Sequence, residues 1–197
     1  MSQISSAPLY GLVLVGGKSG RMGHDKSIID YHGIPHREYL YNLLLKICDV
    51  VFLSLRADQQ GGGLKFILDG NQYKGPYNGL MSAHSQFPHV AWLVLACDLP
   101  LMDLKGLRQL VANRDPSKMA TAFASKDNPL PEPLAAIWEP HGLESAQIHL
   151  TNGTMTNPRK YLINSSVELV FPENGEILLN ANSEEEYKEA LAKLRSL

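Results

Sequence analysis

Residues 12–27 read LVLVGGKSGRMGHDKS, a short apolar run followed by glycines at 16, 17, 20 and 23 with Lys18, Arg21 and Lys26 among them. Glycines after a strand let backbone N–H groups approach an anion closely, and a lysine completes the charge neutralisation, so the pattern suits phosphate. Spacing excludes the two commonest versions. A Walker A loop needs glycine directly before its lysine, whereas His24 and Asp25 separate Gly23 from Lys26. A dinucleotide fingerprint needs G-x-G-x-x-G, which these glycines never give, and Ser54, Leu55 and Arg56 stand where an acidic residue should end the second strand. Arg21 offers phosphate a planar fork and Lys26 a compact point charge, while Lys18, near the loop tip, reads as a solvated charge. A second chemical residue is Asp98 in CDLP (97–100), which emerges from an apolar run. At the carboxyl end of a strand in an open α/β sheet, a carboxylate lies in the ligand crevice and can hold Mg²⁺ against nucleotide phosphates. A turn former ahead of Pro100 is its bland alternative.

The spacing that does fit is L-x-G-G-x-S-x-R-M-G-x-D-K, met by Leu14, Gly16, Gly17, Ser19, Arg21, Met22, Gly23, Asp25 and Lys26. It resembles the nucleotidyltransferase family that includes molybdenum cofactor guanylyltransferase, the enzyme making molybdopterin guanine dinucleotide. Val15 departs from the alanine usual there. The resemblance implies a Rossmann-like α/β nucleotidyltransferase fold in which the backbone of Leu14, Val15, Gly16 and Gly17, with Ser19, borders a purine base. Arg21, Lys26 and Asp98 would be the catalytic residues, Asp98 as the Mg²⁺ ligand. In LDGNQYKGPYNGL (68–80) it implies nucleotide-side roles for Asp69, Gly75 and Gly79, although Gly75 and Pro76 suit a plain turn equally well. In LLNANSEEEY (178–187) Asn180 and Asn182 match asparagines on the family's pterin side, while Ser183 and Glu184 replace the usual Thr-Pro and suit a helix start. PLPEPLAAIW (129–138) resembles the segment that shapes the acceptor pocket. Arg159 and Lys160 read as a solvated helix face, with the acceptor's phosphate as the sharper alternative. The family's second-strand Asn is missing, and only Ser54 or Arg56 could replace it.

The activity so implied is transfer of GMP from GTP to molybdopterin, with Mg²⁺ and release of pyrophosphate, and with transient contact to proteins of cofactor biosynthesis or cofactor acceptance. The nearest rival is cytidylyl transfer to the same pterin, or nucleotidyl transfer to another small phosphorylated acceptor, disfavoured because relatives using CTP tend toward Ala-Ala-Gly after the strand. A non-catalytic nucleotide-binding protein would be expected to lose Lys26 or Asp98, and both are present.

The elements that must position these residues alternate. Apolar runs at 9–15, 49–55, 64–68, 90–97 and 118–123 suit strands covered on both faces, with weaker candidates at 131–139 and 166–172. Helical spacing marks 37–47, 77–87, 104–114 behind an Asp103 cap, and 140–150, while Ser183 and Glu186 form a capping box for a terminal helix. A mostly parallel sheet with helices on both faces follows. We read residues 1–197 as one domain, its nucleotide part about 9–115, its acceptor part about 116–182 and a terminal helix at 183–197.

Composition narrows the class. At 44% hydrophobic and 19% charged residues, the 197-residue chain is an ordinary folded protein, and its net charge of -2 lacks the basic excess of a nucleic-acid binder. No run approaches the roughly 20 apolar residues of a membrane helix and no signal segment opens the chain, so a cytoplasmic location is expected. Cys48 and Cys97 lie in apolar runs and read as buried thiols.

Overall fold

The structure, a computed structural model, describes residues 6–15 and 26–195. Seven strands form one sheet in the order β3-β2-β1-β4-β6-β5-β7: β1 Leu9–Leu14, β2 Val51–Leu55, β3 Phe66–Leu68, β4 Ala91–Ala96, β5 Ala120–Phe123, β6 Ala135–Trp138 and β7 Val167–Val170. β6 alone runs antiparallel to its neighbours, β4 and β5. Among the described residues six α-helices accompany the sheet: α1 His36–Leu44, α2 Pro76–Gln86, α3 Leu104–Ala112, α4 Pro140–Thr151, α5 Pro158–Ile163 and α6 Glu184–Leu194.

The near-continuous apolar runs have a direct cause. Along β1, Val13 enters one core and Leu12 and Leu14 the other; along β4, Leu93 and Leu95 face one side and Trp92 and Val94 the opposite. The first core is closed by α1 and α3 through Leu40, Leu44, Leu107 and Leu110. The second is closed by α2, α4 and α5 through Tyr77, Leu80, Leu143 and Tyr161. The inner strands β4, β5 and β6 are therefore dry on both faces, as a helix-covered sheet requires, whereas the edge strand β3 exposes Phe66 and Leu68.

Local signals act as their chemistry suggests. The Asp103 carboxylate accepts from Gly106 N at 2.7 Å and starts α3. Ser183 and Glu186 close a reciprocal capping box on α6. Both cysteines are buried. Among the described residues no helix is long and apolar enough to cross a membrane.

The order of the strands positions the site. From β1 the chain builds outward through β2 and β3, then crosses back to place β4 on the other flank of β1. The reversal leaves a crevice beyond the carboxyl ends of β1 and β4, where open α/β sheets take their ligands.

Candidate active site

On the β1 side, Leu14 and Val15 are buried at the end of the strand. Val15 N donates to Ser54 O at 3.3 Å, which ties the start of the glycine-rich segment to β2. Gly16, Gly17, Lys18, Ser19 and Arg21 lie outside the described residues. Lys26 opens a short 3-10 turn, Lys26–Ile28, that leads toward α1.

Next to it, β2 and β3 bring Ser54 and Asp69 together. Asp69 N donates to Leu55 O at 2.8 Å, extending the ladder, and Ser54 Oγ donates to Asp69 Oδ1 at 2.6 Å. Of the two second-strand candidates, Ser54 is the one that faces Asp69. The Arg56 guanidinium grips Asp58 through Nε at 3.0 Å and Nη2 at 3.1 Å. Gly79 is required by packing, since a Cβ there would collide with Ser54 Oγ and sit 2.9 Å from Leu14 Cδ2. Gly75 takes φ +63° and ψ −149°, a conformation essentially reserved for glycine, and Pro76 opens α2. These two residues shape the turn.

On the β4 side, Asp98 is half-buried just past the strand. Its backbone carbonyl accepts from Ala181 N at 2.9 Å, which places the Asn180–Asn182 stretch on the same strand end. Asn180 Nδ2 reaches Leu178 O at 3.4 Å, and Asn182 N donates to Glu186 Oε2 at 2.6 Å. The segment is thus both the lead into α6 and a wall beside Asp98.

Two neighbours of Asp98 escape sequence reasoning. Glu132, on the connection from β5 to β6, is anchored by its N–H to Phe123 O at 2.7 Å. Arg159 on α5 places Nη2 2.5 Å from both Glu132 oxygens. Burial raises the Glu132 carboxyl above its ordinary range, Arg159 opposes the shift, and the charge of Asp98 adds to it. Arg159 is therefore an ion-pair partner near the crevice, unlike Lys160, which is exposed. The second neighbour is an aromatic cluster under the loop that follows Asp98. His32 stacks on Tyr39 with centroids 3.6 Å apart, His32 Nε2 lies 2.9 Å from Pro100 O, and Tyr39 OH donates to Met102 O at 3.1 Å. Tyr31 packs between His36 and Tyr187, its phenol pushed up to about 12 by burial, then by Tyr187 and Asp98. Of these residues only His36 and Tyr39 share α1, and His32 joins them from the bend that precedes the helix.

The chain and its fold have counterparts among known proteins. Residues 11–168 match the MobA-like NTP transferase domain. The chain belongs to this family. This MobA-like chain is 38% identical over 193 residues to a molybdenum cofactor biosynthesis bifunctional protein of Synechocystis, covering 94% of itself but spanning only 54% of that protein. It is 27% identical to a probable molybdenum cofactor guanylyltransferase of Nostoc, over 90% of this chain and 88% of that one. In fold it is similar to molybdopterin-guanine dinucleotide biosynthesis protein A from Archaeoglobus fulgidus, with a TM-score of 0.78 at 19% identity, over 95% of this chain and all of that one. A nucleotidyl transferase from Methanothermobacter superposes with a TM-score of 0.76 at 14% identity, over 96% and 98% of the two chains. The fold similarity therefore extends over nearly the whole sheet and its helices.

Proposed function

We propose that this chain transfers the GMP unit of GTP to the terminal phosphate of molybdopterin and releases pyrophosphate. One observation carries the reading: the Ala181–Asp98 backbone bond joins the segment expected on the acceptor side to the strand end expected to serve the nucleotide. Donor and acceptor would then meet at one carboxylate. The nucleotide part, about 9–115, supplies the β1 backbone, Asp69 and Asp98; the acceptor part, about 116–182, supplies Glu132, Arg159 and the asparagines.

The chemistry needs no nucleophilic side chain, because the acceptor phosphate attacks the α-phosphate in line and pyrophosphate leaves. Catalysis then consists of positioning and charge stabilisation. Leu14 to Gly17 border the base with backbone, Gly75 and Gly79 let α2 approach, and Asp69 accepts a hydrogen from the nucleoside. Arg21 and Lys26 neutralise the triphosphate, with Ser19 donating beside them. Asn180 and Asn182 orient the acceptor, and Arg159 holds the Glu132 charge in check beside it.

Asp98 would hold Mg²⁺. A single half-buried carboxylate at a strand end, with Glu132 already engaged by Arg159, is the donor set of an ion that completes its shell with phosphate oxygens and water. When bound, such an ion polarises the phosphoryl oxygens and offsets the developing negative charge. Activity in the cytoplasm, where both substrates would be met, belongs to the same proposal.

Titration calorimetry with GTP, CTP and ATP in the presence of Mg²⁺ tests the reading. Tight binding of GTP alone is expected. Preference for CTP overturns the guanylyl assignment in favour of cytidylyl transfer, and absence of nucleotide binding overturns nucleotidyl transfer altogether.

A further inference from the structure

We propose that Ser54 is a positioning residue for the nucleotide, acting through Asp69 without touching the ligand. The inference rests on the nucleotidyl-transfer reading above. Ser54 is 1% exposed, so the ligand cannot reach much of it. Both of its polar ends are nevertheless committed to the nucleotide side of the crevice. Its hydroxyl donates to Asp69 Oδ1 at 2.6 Å, and its carbonyl accepts from Val15 N at 3.3 Å. One buried residue thereby sets the β1 backbone that borders the base and the carboxylate at the end of β3 relative to each other.

The packing is built around that hydroxyl. A Cβ at position 79 would collide with Ser54 Oγ and come within 3.0 Å of Ser54 Cβ, so α2 can lie this close only as glycine. An O–H to carboxylate bond of this length is a strong one, and it fixes the rotation of the carboxylate. It also divides the labour between the two oxygens. Oδ1 is taken by Ser54, while Oδ2 has no partner among the described residues. Asp69 therefore offers the nucleotide one oriented acceptor, fit for a single ribose hydroxyl or base N–H, and not a two-pronged grip on a base edge.

The experiment is a double-mutant cycle on GTP binding, read by calorimetry with thermal unfolding alongside. Ser54→Ala should weaken GTP about tenfold, the scale of one hydrogen bond to a charged group. Asp69→Ala should weaken it at least as much, and Ser54→Ala should cost nothing further once Asp69 is gone. In turnover, KM for GTP should rise while kcat holds. Ser54→Cys nearly keeps the side-chain shape while weakening the donor, and should bind GTP as poorly as Ser54→Ala. Wild-type affinity in Ser54→Ala or Ser54→Cys, or losses that add in the double variant, would overturn the role of Ser54 while leaving nucleotidyl transfer intact. A wild-type protein that binds no nucleoside triphosphate would overturn both.

Discussion

His36 is the residue whose replacement should make the protein more tolerant of acid. It opens α1 with no exposed surface, and neither ring nitrogen has a hydrogen-bond partner of acceptable geometry. Burial, then the neighbouring His32, pushes its pKa from 6.5 down to about 3, and the Leu99 carbonyl opposes this only weakly. The sign follows from proton counting. The native ring stays neutral while the unfolded ring takes up a proton below pH 6.5, so the unfolded state binds more protons and stability rises with pH. The contribution is fully present above pH 6.5 and is lost progressively as pH falls toward 3. Each unit costs about 1.4 kcal/mol, so the step from pH 6.5 to 5 removes about 2 kcal/mol.

His36→Leu deletes this term. The swap nearly conserves volume and removes two buried nitrogens without partners, so at pH 8 the variant should match the wild type within about 1.5 kcal/mol. By pH 5 it should have gained about 2 kcal/mol on the wild type. Urea unfolding of both proteins at half-unit intervals from pH 5 to 8 measures the difference directly, and common changes at the remaining histidines cancel. Superimposable pH dependences would refute the reasoning, as would a His36 ring that titrates near 6.5 in the native protein by NMR.

Two further outcomes are expected. Asp98→Asn should abolish Mg²⁺-dependent turnover while leaving the unfolding curve in place, and retained turnover would remove the metal assignment. Glu139→Ala should destabilise by about 3–5 kcal/mol in urea unfolding. It strands Arg114, whose Nε and Nη2 meet Glu139 at 2.7 and 2.9 Å in a buried fork while Nη2 also holds Ala7 O.

Much of the fold was legible because the pattern and the packing say the same thing. A strand such as LYGLVL buries successive residues in opposite cores, so its run has no polar face, and that is visible in one dimension. Asp103 and Ser183 mark helix starts because a cap acts within three residues of itself. Strand direction is different. Nothing in PEPLAAIWE states that β6 runs against β4 and β5, since pairing is decided by distant partners. The same division runs through the site. Asp98 could be placed from its own strand, and Ser54 could be nominated from its position. That Ser54 faces Asp69 while Arg56 turns to Asp58 depends on β2 ending at Leu55 and on α2 closing over Gly79. Glu132 and Arg159 lie far apart in the chain, and neither has a local pattern that reveals the other.

The loop after Asp98 shows why the unfolding experiment also bears on catalysis. Its carbonyls are its handles: Asp98 O takes Ala181 N from the segment before α6, Pro100 O meets His32, and Met102 O takes the Tyr39 hydroxyl. Two of these three holds come from the aromatic cluster at the start of α1, with His36 packed against both His32 and Tyr39. A charge forced into that cluster must be accommodated by moving rings whose polar tips fix the loop, because a close-packed interior does not deform continuously. Protonation of His36 is therefore expected to shift the loop that follows Asp98 through Pro100 and Met102. Below pH 6.5, kcat/KM of the wild type should fall more steeply than that of His36→Leu, in the same window as the stability difference. Parallel kinetic profiles beside divergent unfolding curves would show that α1 and the loop are uncoupled despite these bonds.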